Sequence, residues 1–165
     1  MKALYKNSYV LVISLISVAL LFSACSNPAS SDDEEEHSSP FGVALVLNGV
    51  EVAVLENGNV TYSSGDHLDL GVGEETDIIS LRWIAEDGDR FTPDENEGYS
   101  LQWNNTNESV LEVEQHEEDG AWNFHFVGLT EGASEVTFIL FHNGHSDFTA
   151  PQPFDIRVHD TSGTM

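Results

Sequence analysis

The chain has 165 residues and carries 29 Asp and Glu against five Lys and Arg, a formal charge of -24. This length accommodates one ordinary domain with appendages and excludes a multidomain enzyme, while a single cysteine, Cys25, excludes an intramolecular disulfide. The acidity excludes nucleic acid as a partner, because phosphate backbones are repelled, and favours cationic partners.

Residues 1–24 have the composition of a secretory signal peptide. Lys2 and Lys6 precede an apolar run over residues 9–22, and the small residues Ser23 and Ala24 come directly before Cys25. The run is shorter than the ~20 residues that a membrane-spanning helix needs. We therefore expect export and cleavage of the signal, rather than a permanent protein anchor.

The segment LFSAC, residues 21–25, resembles the bacterial lipobox. That resemblance implies that Cys25 becomes the lipidated first residue of the mature chain and anchors it to a membrane. Ser26 and Asn27 follow the cysteine, which by the same resemblance favours the outer membrane or the cell surface. The alternative is a plain signal peptide with a chance cysteine.

Residues 25–40 are rich in Ser, Asp, Glu and Pro and contain no large apolar residue. Such a segment cannot bury a core, so we expect a disordered acidic tether. His37 in this tether is either a metal ligand or, as is usual for a lone linker histidine, without function. Residues 161–165 are expected to form a disordered tail.

Residues 41–160 alternate apolar and polar side chains in short runs, broken about every ten residues by Gly, Asn, Asp or Pro. This pattern predicts an all-β sandwich. Asn48-Gly49 predicts a two-residue hairpin turn, across which Val43, Leu45 and Leu47 face Val50, Val52 and Val54. Further strands are predicted near residues 60–62, 68–72, 77–85, 99–103, 109–116, 121–128, 133–142 and 147–159.

Side-chain alternation also predicts the pairing of the strands on either side of residue 118. Placing the apolar column inward pairs Leu111 with Phe126 and Val113 with Phe124. The outward column then places Glu112 opposite His125. We interpret that couple as an exposed ion pair of little energetic weight rather than as a metal site.

From residue 70 onward, short motifs resemble the bacterial immunoglobulin-like domains of group 2. They are VGEET (72–76), LRWIAEDG (81–88), LQWNN (101–105) with SVLEV (109–113), VGLTEGASEVT (127–137) and FDIRV (154–158), in the family's order. The resemblance implies an immunoglobulin-like sandwich that serves adhesion or scaffolding. Since it carries no catalytic residues and no G-x-S-x-G nucleophile motif occurs, we expect no enzyme.

A histidine pair flanks a second Asn-Gly turn. A two-residue turn at Asn143-Gly144 makes His142 and His145 directly opposed neighbours, close enough for both imidazoles to bind one ion. Zn²⁺ usually takes four ligands, and we expect His116 and Asp147 to complete the set from the same end of the sandwich. The alternative is a favourable turn with two exposed histidines.

These features leave two functions open. One is a cell-envelope lipoprotein that binds a divalent transition metal, zinc first, for storage, sensing or delivery, with an envelope protein as a further partner. The other is a structural or adhesive immunoglobulin-like module with no metal. A Ca²⁺ site in the acidic residues 86–97 is the weaker interpretation beside a solvated turn, and the lysine-free mature surface also resembles salt-adapted proteins.

Overall fold

Twelve strands form in residues 40–160, the part of the chain that the computed structural model describes. Their bounds are β1 Gly42–Leu47, β2 Val50–Glu56, β3 Asn59–Tyr62, β4 Leu68–Gly71, β5 Ile79–Ile84, β6 Arg90–Phe91, β7 Tyr99–Asn105, β8 Leu111–Glu114, β9 Asn123–Gly128, β10 Gly132–His142, β11 His145–Thr149 and β12 Phe154–His159. The predicted signal peptide, the lipidation of Cys25, the tether up to residue 39 and the tail 161–165 lie outside the described residues.

The strands are arranged in two sheets. The first has the order β3-β2-β1-β5-β9-β8, with β6 against β5, and the second has the order β11-β10-β12-β4, with β7 against β10. All pairs are antiparallel except β12 with β4, which is parallel. The all-β sandwich expected from the sequence is confirmed. No helix within residues 40–160 is long and apolar enough to cross a membrane.

Aromatic side chains hold the two sheets together. Phe124 of the first sheet packs on Phe138 of the second at a centroid distance of 5.0 Å, and Phe138 packs on Phe154 at 5.7 Å. Trp83, fully buried, makes edge contacts with Trp122 at 6.1 Å and with Phe148 at 5.9 Å. Such pairs add to the free energy gained from burying their large apolar area. They hold β9 against β10 and β5 against β11 across the two sheets.

The first hairpin forms at Asn48-Gly49, where both residues have positive φ, but its predicted pairing is only partly right. Leu47 pairs with Val50 as expected, whereas Leu45 pairs with Ala53 and Val43 with Leu55. The cause is an irregularity between residues 45 and 46, which adds one residue to β2 and turns Ala53 and Leu55 to the core.

The predicted pairing of β8 with β9 is wrong by two residues. Val113 pairs with Phe126, and His125 lies opposite Glu114 rather than Glu112. The connection is longer than expected because it contains the 3₁₀ turn Glu117–Asp119. A shift of two preserves the side-chain faces, so the apolar column still points inward. The single strand predicted over 147–159 is also wrong, because Pro151 and Pro153 interrupt it.

Candidate metal centre

The β10–β11 hairpin brings three potential ligands together at its turn. Asn143 and Gly144 have φ of 44° and 97°, the positive values that a type I′ turn requires, and His142 pairs directly with His145. The register then passes from Phe141–Ser146 to Leu140–Phe148 and skips Asp147. This bulge leaves Asp147 outside the regular ladder, and its carboxylate lies against the two histidines.

We call His142, His145 and Asp147 the β10–β11 site. One oxygen of Asp147, Oδ2, lies 3.3 Å from His142 Nδ1, and the other, Oδ1, lies 2.8 Å from His145 Nε2. One potential ligand atom from each of the three residues lies within 4.8 Å of the others. The side chains of His142 and Asp147 are 4% exposed and that of His145 is 56% exposed, so the site opens to solvent on the His145 side.

His142 is oriented by β7 and by the segment before it. Its ring stacks on Tyr99, its partner in the sheet register, with centroids 4.0 Å apart and an interplanar angle of 13°. Its Nε2 lies 3.1 Å from the carbonyl oxygen of Glu97. Because a carbonyl can only accept, this contact requires the proton on Nε2 and leaves the lone pair of Nδ1 facing Asp147.

A second contact competes for the same nitrogen. The side-chain nitrogen of Asn143 lies 2.9 Å from His142 Nε2, and because an NH₂ group can only donate, this contact favours the opposite tautomer. A cation bound at Nδ1 would select the tautomer that donates to Glu97. Metal-bound histidines commonly have their other ring nitrogen fixed to a carbonyl or carboxylate in this way.

The Glu97 carbonyl is positioned by local turn chemistry. Asp94 caps the 3₁₀ turn Glu95–Glu97 by accepting from the backbone N–H of Asn96 at 2.9 Å, and Gly98 ends the turn with φ of 88°. On the preceding side, Trp122 donates from Nε1 to the carbonyl oxygen of Pro93 at 3.0 Å. These contacts fix the backbone that faces His142.

The separation of His142 Nδ1 from Asp147 Oδ2 suits a small tetrahedral ion. Ligands at about 2.0–2.1 Å from a tetrahedral Zn²⁺ are roughly 3.3 Å apart, close to the separation between His142 Nδ1 and Asp147 Oδ2. Two imidazoles and one carboxylate are also ligands that Zn²⁺ accepts. Three protein ligands leave one position for water or for an incoming group, an arrangement typical of exchangeable rather than closed sites.

The structure brings together three of the four predicted ligands. His116 follows β8 in the other sheet, where it forms a separate group with Glu75 and His125 that we call the β8–β9 site. Glu97, within the acidic segment 86–97, places its backbone carbonyl rather than its carboxylate against His142.

His125 in the β8–β9 site is buried, not part of an exposed ion pair as the sequence suggested. Its Nδ1 donates to the carbonyl oxygen of Thr76 at 2.8 Å, and its Nε2 lies 3.1 Å from Asp119 Oδ2. The Thr76 hydrogen bond raises the pKa of His125 above its usual value; partial burial opposes this, and the carboxylates of Asp119 and Glu75 add to the rise. Sequence reasoning missed this group because its contacts span up to 50 residues of the chain.

The acidic segment 86–98 forms turns that its own residues explain. Asp87 accepts from the backbone N–H of Asp89 at 3.0 Å, and Arg90 donates to Glu51 at 2.9 Å. Asp94 caps the following turn. These contacts account for Asp87 and Asp94 as turn formers.

Comparison with known proteins adds little to this geometry. No protein-family model matches the sequence, and no curated protein matches it. Among solved structures, the chain is similar to domains 4 and 5 of the S-layer protein SbsC, with 10% identity and a TM-score of 0.38. That alignment covers 64% of this chain and 63% of the other. A likeness at this level carries no conclusion about function, and the resemblance to group 2 immunoglobulin-like domains stays a prediction.

Proposed function

We propose that this chain is an exported, lipid-anchored envelope protein whose β-sandwich binds a divalent transition metal, Zn²⁺ first, at the β10–β11 site. The observation that carries the proposal is the convergence of His142, His145 and Asp147 within 4.8 Å on a rigid hairpin. The signal-like segment and Cys25 support the location.

The burial of Asp147 supports a bound cation. Its side chain is 4% exposed and two imidazoles contact its carboxylate. A carboxylate buried to this extent needs a compensating positive charge. A metal ion shared by the Asp147 carboxylate and the two imidazoles would supply that charge.

The exposure of the site supports exchange rather than permanent structural binding. His145 is the outer ligand, and the open fourth position allows a partner to take or deliver the ion. The described residues carry 24 Asp and Glu against three Arg. This excess of negative charge raises the local concentration of cations. Storage, sensing or delivery at the envelope all fit this arrangement.

Calorimetric titration with Zn²⁺ tests the proposal. The titration is done at about pH 7.5 in high salt, so that simple counterion attraction is screened. We expect His142→Ala and His145→Ala each to weaken one binding event at least ~10-fold, because each removes a ligand. His159→Ala is the matched control, since that histidine is exposed, lies outside both sites and contacts only Asp69 at 3.8 Å among the described ion pairs.

The competing function is a structural or adhesive immunoglobulin-like module without a metal. The motif order over residues 72–158 favours it. The structural or adhesive function predicts that Zn²⁺ titration gives the same heat of binding in the wild type, His142→Ala and His145→Ala, or no heat in any of them.

A further inference from the structure

The β8–β9 site joins the segment before β5 to the β8–β9 connection and to β9. Glu75 lies between β4 and β5 and is bridged to Val127 of β9. His116 lies two residues after the end of β8, and His125 lies within β9. One potential ligand atom from each of Glu75, His116 and His125 lies within 4.8 Å of the others. The rings of the two histidines have centroids 5.4 Å apart. The fold thus assembles two imidazoles and a carboxylate at a second location.

His125 is held in the manner of a metal ligand. Its Nδ1 carries the proton because it donates to the Thr76 carbonyl, and this leaves Nε2 as the ring atom that an ion can use. Asp119 faces that nitrogen at 3.1 Å, with its side chain 16% exposed. This separation again approximates the distance of roughly 3.3 Å between two ligands of a tetrahedral ion.

The other two proposed ligands, His116 and Glu75, lie on the solvent-exposed side of the β8–β9 site. The side chains of His116 and Glu75 are 43% and 52% exposed. Glu75 Oε1 lies 3.5 Å from His125 Nδ1, so this exposed side chain must rotate to reach an ion at Nε2. Glu114 lies 3.6 Å from His116 Nε2. The 3₁₀ turn Glu117–Asp119, wholly acidic, adds to the attraction of cations.

We propose that the β8–β9 site binds a second divalent transition metal ion through His116, His125 and Glu75, with Asp119 against His125. The nitrogen ligands favour Zn²⁺, Cu²⁺ or Ni²⁺ over Ca²⁺ or Mg²⁺, which take oxygen ligands. The ion cross-links the segment before β5 to the β8–β9 connection. Binding to the folded state alone would therefore also stabilise the fold. The proposal uses no residue of the β10–β11 site and is independent of the function proposed for that site.

Equilibrium dialysis of the purified full chain against Zn²⁺ in high salt, followed by metal analysis, tests the second site. We expect two ions per wild-type chain, one in the double variant His142→Ala/His145→Ala, one in His116→Ala and two in His159→Ala. His116 is only partly buried and lies outside the hydrophobic core, so its loss spares the core, and circular dichroism confirms the fold of each variant. Glu75→Gln, a nearly isosteric change at an exposed residue, should weaken the second ion at least fivefold.

The two proposals fail separately. One ion in the wild type that disappears in the double variant and survives in His116→Ala overturns the second site and leaves the first. One ion that disappears in His116→Ala alone overturns the first and supports the second. If the wild type binds two ions and neither His116→Ala nor Glu75→Gln reduces their number or affinity, the second site is also overturned.

Discussion

His142 is the most restricted side chain of the β10–β11 site. It is stacked on Tyr99, held near the Glu97 carbonyl and buried to 96% of its side chain. Its rotamer is therefore fixed when the protein folds, and little side-chain entropy remains to be lost when an ion binds. His145 and Asp147 then meet an imidazole whose Nδ1 already points at them.

Replacing Tyr99 tests this orientation. Tyr99→Leu keeps most of the apolar volume but removes the stacked ring, and we expect Zn²⁺ affinity to fall about 10-fold, as is usual when a group that supports a ligand is removed. Tyr99→Phe retains the ring and should bind like the wild type. Calorimetry measures both. Equal affinity in all three proteins would mean that the stack does not orient His142.

At the level of elements, the turn at Asn143-Gly144 determines the separation of the two histidines. Gly144 has φ of 97°, and a Cβ there would meet no atom within 4 Å, so its substitution acts through backbone strain alone. Asn48-Gly49 forms the same kind of turn in the β1–β2 hairpin, with Gly49 at φ of 79° and equally open space. The chain thus carries an internal control.

We expect Gly144→Ala and Gly49→Ala to destabilise the protein by a similar amount, about 1 kcal/mol, because both place an L-residue in the left-handed region. Only Gly144→Ala should weaken Zn²⁺ binding, since it distorts the hairpin that holds the ligands. Urea unfolding measures the stability and calorimetry the affinity. If both variants lose Zn²⁺ affinity, the loss is due to general destabilisation of the protein rather than to distortion of the Asn143-Gly144 turn.

The turns and the core could be predicted from sequence, because Asn-Gly pairs and side-chain alternation are local signals. The opposition of His142 and His145 was predictable for the same reason. The bulge at Asp147 and the two-residue shift in β8–β9 were not, since each depends on packing between strands. The contact of the Glu97 carbonyl with His142 could not be predicted either, because every residue has a backbone carbonyl and the residue type does not indicate which one makes a contact.

At the level of the whole molecule, Tyr62 links the two sheets. Its hydroxyl oxygen, on β3 of the first sheet, accepts from the backbone N–H of Asp155, on β12 of the second, at 2.7 Å. Burial raises the pKa of Tyr62; the Asp155 N–H hydrogen bond opposes this, and the nearby charges of Asp155 and Asp66 add to the rise. The folded state therefore disfavours the phenolate.

This shift predicts an alkaline limit to stability. Tyrosine in an unfolded chain has a pKa of about 10; since the folded pKa lies higher, the contribution of Tyr62 is fully present below about pH 10 and is lost as pH rises through the folded value. Tyr62→Phe should flatten the fall in the urea midpoint above about pH 10. If the urea midpoint falls as steeply in the variant as in the wild type, groups other than Tyr62 cause the alkaline loss of stability.

The acidic surface of the chain attracts cations non-specifically, and a test of metal binding must separate this attraction from binding at a defined site. With 24 Asp and Glu and three Arg in residues 40–160, the surface attracts divalent cations without any specific site. Such attraction is screened by salt and does not depend on which histidine is present. The position of a bound ion at atomic resolution distinguishes coordination from such attraction directly.

The most direct test of the β10–β11 site is a crystal structure of the Zn²⁺-loaded protein with anomalous data at the zinc edge. We predict a peak about 2.0–2.2 Å from His142 Nδ1, His145 Nε2 and a carboxylate oxygen of Asp147, with His142 Nε2 still donating to Glu97. A zinc-loaded crystal whose anomalous peaks all lie elsewhere, with His142 and His145 uncoordinated, would contradict the proposed site.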